Sequence, residues 1–503
     1  MNNTFLNALK NYDNYMTTEN GALAHKTTGG AVYDLFAFGG AYRSRSDADV
    51  ITLFSDAFDE DPSLAMKCLF YLRDCRGGQG ERRFFRVAYR WLAKNYTDYA
   101  KRNLKQIPIF GRWDDLLYCT TETPIEEKAE EMMADELCTA VAENEDYLAF
   151  KWAPSINASN KTTRKLAYKL ASFMDMSPRD YRTFLSSGRE KARVLEKLMS
   201  GNRWDEINFK YIPAKAGINY SAAFARRPET AERYKKFINN KETKVNADTL
   251  YPYEIVRKAL TIGKRNDPLD AASRAAINKY WENLPDYFDG ASNSMICVVD
   301  TSGSMTQTGN KNVRPIDVAI SLGMYCAEHL SGAFKNCYIS FSSRPQLINV
   351  AGADFVDKVT RIYDTNICDN TDLKAVFELI KNIAIRSNVR KEDLPKTIIV
   401  ISDMQIDQAT AEYCSYRQVS WTQENIETEM EGIRRQFKEV GLEMPKLVYW
   451  NVDARENTIL DLGPDVSFVS GASPTIFKSV LTGKTGTELM METLLAPRYS
   501  AIY

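Results

Sequence analysis

The stretch VVDTSGSM, residues 298–305, ends an apolar run abruptly on one carboxylate and several hydroxyls. Asp300, Ser302 and Ser304 fall at alternate positions, so a tight loop can aim three oxygens at one point. Downstream, DNTDL supplies Thr371 at an expected helix start, and VISD ends a second apolar run on Asp403. Two carboxylates and three hydroxyls from three loops suit a hard dication. Mg²⁺ takes about six oxygens at ~2.0–2.1 Å and keeps some of them as water. Such a set leaves a coordination position open, and an ion with few charged ligands still attracts a carboxylate or phosphate. It holds no nucleophile or general base beyond the ligands themselves, so the expected chemistry is docking and the protein is not expected to be an enzyme.

Other reactive groups are sparse. The nine cysteines form no close ligand pairs, and Cys297 and Cys337 lie in apolar runs. Buried free thiols in a reducing compartment are expected. With only His25 and His329 present, a histidine-rich zinc site and a Ser-His-Asp triad are both disfavoured.

A second chemistry is carried by charge. The net charge of -1 hides a block, residues 151–240, with 19 Lys and Arg against 8 Asp and Glu, a net of +11. Such a block inside an acidic chain is a candidate polyanion surface. Lys161, Lys165 and Lys169 share a helical face with Arg164 beside them, and Arg189, Arg193 and Lys197 have the same spacing. Two such stripes on adjacent helices would line a groove for phosphates. Tyr168 and Tyr181 can stack on bases, although core packing is the expected use. Earlier, RDCRGGQGERRFFRVAYRW, residues 73–91, runs from a basic turn with Arg76 into a helix bearing Arg83, Arg86, Arg90 and Lys94 on one face. Its Gly77, Gly78 and Gly80 permit a turn whose amides would face an anion.

The elements that must position these groups change character once. From about residue 46 to 290 the pattern is helical; ERRFFRVAYRWLAKNY, for example, sets Phe84, Ala88, Trp91 and Leu92 on one face. No strict period appears, so irregular stacked helix pairs are expected. After residue 291, apolar strands such as SMICVVD, KTIIVISD and KLVYWNVDA alternate with amphipathic helices. That alternation predicts a doubly wound, mainly parallel α/β sheet, with Asp300 and Asp403 beyond the carboxyl ends of its strands. Two domains follow, 1–290 and 291–503. No apolar run reaches the roughly 18 residues of a membrane span. The opening MNNTFLNALKNYDNY lacks the basic flank and apolar core of a secretory signal, so a cytoplasmic protein is expected.

Asp300, Ser302, Ser304, Thr371 and Asp403 together resemble the metal-ion-dependent adhesion site of von Willebrand factor A domains. One departure is SDMQ where that family has a TDG-like turn. RDCRGGQGERR, IPIFGRWDDLL and KWAPS ahead of such a domain resemble the Ro ribonucleoprotein family, and more closely its TROVE-like relatives of uncharacterised function. The resemblance implies a HEAT-like helical repeat ring followed by an A domain. It also implies RNA as partner, small structured species or single-stranded 3′ ends, held by the cationic faces named above. A Mg²⁺-dependent docking point for an acidic protein partner would accompany it. The alternative is an adaptor that acts through the metal site without RNA. A Mg²⁺-dependent phosphohydrolase is a distant third.

Overall fold

The structure is a computed structural model, and it describes residues 14–18, 23–265, 271–288, 294–307, 313–341, 344–365, 372–405 and 429–503. A short hairpin, β1 (Tyr15–Thr17) and β2 (Leu23–His25), precedes the helices α1 (Ala31–Phe38), α2 (Asp47–Glu60), α3 (Pro62–Arg73) and α4 (Arg82–Asn95). Their starts follow local chemistry. Ser46 and Asp49 form a reciprocal capping box on α2, and Asp61 caps α3 just ahead of Pro62. The short α5 (Thr97–Asn103) and α6 (Ile107–Phe110) lead to α7 (Trp113–Thr120), α8 (Glu126–Glu143) and α9 (Leu148–Trp152). The basic block holds α10 (Lys161–Phe173), α11 (Pro178–Lys191), α12 (Leu195–Ser200), α13 (Ala214–Arg226) and α14 (Pro228–Asn239). Two more helices, α15 (Pro252–Arg265) and α16 (Ala271–Glu282), complete the helical part. The face expected on α4 is real: Phe84, Ala88 and Leu92 are buried and Trp91 packs against them.

The second part is the expected α/β unit. Its six-stranded sheet has the order β5-β4-β3-β6-β7-β8, with β3 (Met295–Asp300), β4 (Cys337–Phe341), β5 (Leu347–Asn349), β6 (Thr397–Ser402), β7 (Lys446–Asn451) and β8 (Val466–Ser470). All pairings are parallel except the edge pair β4–β5. The helices are α17 (Pro315–His329), α18 (Phe355–Thr365), α19 (Leu373–Arg386), α20 (Glu429–Glu439), α21 (Ile476–Val480) and α22 (Gly486–Leu494). Burial of β3 along its whole length requires the continuous apolar run Met295–Val299. Among the described residues, no helix is long and apolar enough to cross a membrane.

Both ends of the helical part dock on the sheet unit. At the first end, the Tyr33 hydroxyl accepts from the Phe468 amide at 3.1 Å, and the Gly40 amide donates to Ser470 Oγ at 3.0 Å. A Cβ on Gly40 would lie 2.6 Å from the Ser470 carbonyl, so only glycine admits this approach. The C-terminal tail returns to the same helices. Arg498 and Tyr499 bind Asp74, and the Tyr503 amide donates to Asn103 Oδ1 at 3.0 Å. At the other end, Trp281 donates to Glu328 at 2.7 Å and stacks on Phe355, while Arg274 pairs with Asp354. The two ends also meet directly, because Tyr251 donates to the Gln79 carbonyl at 3.2 Å. The helical part is therefore closed on itself and clamped by the sheet unit.

Candidate metal centre and cationic surface

Asp300 ends β3 and Asp403 follows β6, and the direct pairing of these strands sets the two carboxylates side by side at the carboxyl edge. Asp300 Oδ1 accepts from the Ser302 amide at 2.9 Å and Oδ2 from Ser402 Oγ at 2.5 Å. Ser302 Oγ and Ser304 Oγ lie 3.0 Å apart, so the alternate hydroxyls do converge. Asp300, Ser302 and Asp403 are buried. Thr371 lies outside the described residues. Burial first, and the Asp300 charge second, push the Asp403 carboxyl up to about 7 against the opposing pull of Arg455. The Ser304 hydroxyl also favours the ionised form, but Asp403 Oδ2 has no partner of hydrogen-bonding geometry among the described residues. An enclosed pair of carboxylates with one oxygen unsatisfied, flanked by two hydroxyls, fits a hard cation. Among the described residues, no group of three or more His, Cys, Asp or Glu is placed to hold a metal ion.

The turn after Asp403 has a left-handed residue. Met404 takes a φ of 61°, a region that non-glycine residues rarely adopt. Its amide donates to Ser402 Oγ at 2.9 Å, and its buried side chain helps hold the strained turn.

Arg455 connects this site to the helical part. Its Nη2 donates to the Ser304 carbonyl at 2.5 Å and lies 3.8 Å from Asp403 Oδ2. Its own loop is gripped by the turn after α1. Arg45 donates to the Arg455 carbonyl, Ser44 to Asp453 at 2.9 Å, and Tyr42 to Asn457 at 2.6 Å.

The arginine stripe on α4 has internal partners. Arg86 pairs with Asp115 and Asp114, Arg90 donates to the Tyr118 carbonyl, and Arg83 pairs with Asp47. Asp115 is buried and also holds Arg73, at 2.9 Å from its Nε, and the Arg112 amide at 3.0 Å. The two family-like motifs are thus each other's counterparts. The anion site expected at the glycine turn is corrected: Asp74 Oδ1 already accepts from the Arg76 and Gly77 amides, at 3.0 and 3.1 Å. The glycines serve contact instead, since a Cβ on Gly78 would lie 2.0 Å from the Tyr71 carbonyl. Arg76 donates to the Ile109 carbonyl at 3.2 Å.

In the basic block the two expected stripes fare differently. Lys161 is exposed on α10, whereas Lys165 and Lys169 pair with Glu122 and Glu126, and Arg164 donates to the Ala158 and Ser159 carbonyls. Arg189, Arg193 and Lys197 do not share one helix face. The helix ends at Lys191, and Arg193 adopts a φ of 48°. The Val194 amide bonds to the Arg189 carbonyl and the Arg193 amide to the Glu190 carbonyl, a Schellman cap that separates Lys197 into the next helix. Tyr181 is core, as expected, while Tyr168 is exposed.

A different cationic track emerges. Arg112 Cζ lies 4.1 Å over the Trp152 ring, and its guanidinium pairs with Asp114, Nε donating to Oδ1 at 2.8 Å. Lys151 Nζ approaches the same ring at 5.2 Å. Lys151 then lines a groove of about 460 Å³ together with Lys191, Arg193, Tyr147 and Tyr211. Tyr211 is 75% exposed, and Lys210 Nζ lies 5.9 Å from its ring. Glu196 and Glu206 are the acidic groups of the lining. Sequence reasoning passed over Trp152 and Tyr211; the available signals were the adjacent Lys-Trp and Lys-Tyr pairs inside the basic block.

Residues 18–119 and 172–289 match a domain of unknown function, DUF2828, and residues 294–495 match another, DUF7788. An uncharacterized protein, L728, of Acanthamoeba polyphaga mimivirus is 30% identical over an alignment of 524 residues, covering 95% of this chain and 86% of the relative. A crystal structure of the Deinococcus radiodurans Ro (RSR) protein aligns over 90% of this chain and 92% of that one, with a TM-score of 0.40 and 13% identity.

Proposed function

The chain belongs to the same family as mimivirus protein L728, and from its own geometry we propose that it is a non-catalytic, cytoplasmic RNA-binding protein with a Mg²⁺-dependent docking site. The observation that carries the RNA reading is the groove where Lys151, Lys191 and Arg193 lie with Tyr147 and the exposed Tyr211, with Trp152 beside it against Lys151. Flat rings accept unpaired bases, while interleaved cations follow the phosphates, a combination suited to single-stranded RNA with little sequence preference. The net charge of +11 over residues 151–240 supplies the long-range attraction.

Sequencing the nucleic acid that accompanies freshly purified protein tests the reading. RNA enriched over background, and lost in Trp152→Ala with Tyr211→Ala, is the expected result. Protein free of nucleic acid, with no affinity for a 20-nucleotide RNA at 50 mM salt, contradicts it.

The unsatisfied Asp403 oxygen favours a second role that does not depend on RNA. Asp300, Asp403, Ser302 and Ser304 would hold the ion, with Thr371 as a further ligand by analogy to A domains. Once bound, Mg²⁺ would offer an open position to a partner's carboxylate. Arg455 would then orient the loop beside that position. An Asp300→Ala variant that still captures every Mg²⁺-dependent protein partner contradicts this part.

A further inference from the structure

A second, smaller pocket, of about 210 Å³, adjoins α11 and α12. Its walls are Arg182, Ser186 and Arg189 from α11, Lys197 from α12, and Ser155 and Asn157 from the loop after α9. The pocket is lined by three cations and no carboxylate. Arg182, Ser186 and Arg189 are spaced i, i+4 and i+7, which sets them along one helical face.

The pocket is held in shape by bonds that do not involve a ligand. Arg189 Nε donates to the Phe150 carbonyl at 2.9 Å, Nη1 to Ser155 Oγ at 2.9 Å, and Nη2 to the Ala153 carbonyl at 2.7 Å. Tyr181 donates to the Pro154 carbonyl at 3.0 Å, pinning the same loop. Gly188 lets α11 approach closely, since a Cβ there would lie 2.1 Å from the Phe150 ring. Arg189 is therefore scaffold. The groups left to meet a ligand are Arg182 and Lys197. Arg182 makes no ion pair or hydrogen bond among the described residues. Lys197 donates to Ser186 Oγ at 2.8 Å and keeps two further N–H donors.

We propose that this pocket binds a phosphate monoester, with the Arg182 guanidinium and the Lys197 ammonium as the charged donors and Ser155, Asn157 and Ser186 as neutral ones. A cationic pocket without its own carboxylate is complementary to a compact dianion. The volume lies below the ~300–1,000 Å³ of sites that enclose a whole small molecule, so it suits a phosphoryl group and part of its sugar. The carrier is the phosphorylated end of an RNA chain. That identification, but not the anion chemistry, rests on the RNA-binding reading. The terminal phosphate pocket and the aromatic groove would then hold different parts of one strand.

The test compares three forms of one 10-nucleotide RNA, bearing a 5′-phosphate, a 3′-phosphate or only hydroxyl ends, alongside inorganic phosphate titrated by calorimetry. One phosphorylated form should bind the wild-type protein at least about tenfold more tightly than the hydroxyl form, the scale of a charge-assisted hydrogen bond. The advantage should vanish in Arg182→Ala with Lys197→Ala, while the hydroxyl form keeps its affinity. Equal affinity of all three forms for the wild type overturns the proposal for RNA ends. Phosphate binding that is lost in the double variant, in a protein that binds no RNA, upholds the pocket and refutes only the carrier. Absence of phosphate binding together with equal RNA affinities refutes the pocket itself.

Discussion

Replacing Asp115 with alanine should damage the helical part without touching the groove directly. Asp115 is fully buried and is the shared acceptor of Arg73, itself 3% exposed, and of Arg86. It also accepts from the Arg112 amide at the start of α7. Burial alone would raise its pKa, but Arg73 and Arg86 outweigh burial and hold it below the usual carboxylate range. Removing one partner of a buried pair costs about 3–5 kcal/mol, because the other charge is left uncompensated. Arg86 retains Asp114, so the orphaned group is Arg73. For a unit of roughly 150–250 residues, each kcal/mol lowers the melting midpoint by about 2–4 °C, an upper bound for the larger helical part here. A fall of up to about 20 °C by differential scanning fluorimetry is therefore expected in Asp115→Ala. Replacing both partners, Arg73→Met with Asp115→Leu, should recover most of it, because the uncompensated charge is gone. A midpoint within 2 °C of wild type, or intact stability with RNA affinity lost, would refute the structural assignment of this network.

Other consequences are separately measurable. Mg²⁺ at about 100 times its dissociation constant should stabilise the wild type by about 2.7 kcal/mol and leave Asp300→Ala unaffected, as read from melting in the presence and absence of EDTA. Arg455→Ala should bind Mg²⁺ more tightly in calorimetry, since a fixed cation 3.8 Å from Asp403 opposes the ion; unchanged or weaker binding contradicts this. Gly78→Ala should destabilise the protein, because its new methyl meets the Tyr71 carbonyl; a melting midpoint equal to wild type would contradict the close approach. Asp74 is raised by burial but lowered further by Arg498 and by the Arg76 and Gly77 amides, so its net shift is downward. Its stabilising contribution is therefore present above the unfolded carboxylate pKa and lost as pH falls through the lower folded value. Arg498→Ala should flatten the acid limb of a stability-against-pH curve, and an unchanged limb would remove the tail clamp from the account.

What could be read from the letters followed the range of the forces involved. The sheet was legible because a strand buried on both faces demands a continuous apolar run, as in Met295–Val299. Asp300, Ser302, Ser304 and Asp403 were legible because polar residues directly after such runs fall at the strand ends. The arginines of α4 were not, because their partners are distant in sequence: Arg86 meets Asp114 and Asp115, 28 and 29 residues further on, and Arg83 meets Asp47, 36 residues back. A helical wheel shows a shared face but not what covers it. The basic stripe through Arg189 failed for a local reason: Arg193 takes the left-handed cap position that usually signals glycine, so no letter marked the helix end. Tyr211 reaches the groove lined by Lys151 and Arg193 only through packing of separate segments, and Trp152 lies beside that groove, against Lys151.

The account turns on whether that groove follows a nucleic-acid backbone. The most direct measurement is the affinity for a 20-nucleotide single-stranded RNA from 50 to 300 mM salt, in wild type and in Lys151→Ala with Lys191→Ala. Log affinity should fall linearly with log salt, and the double variant should lower the slope by roughly 1 to 2, about 0.7 per lost phosphate contact. A slope near zero, or one identical in the two proteins, would contradict the assignment.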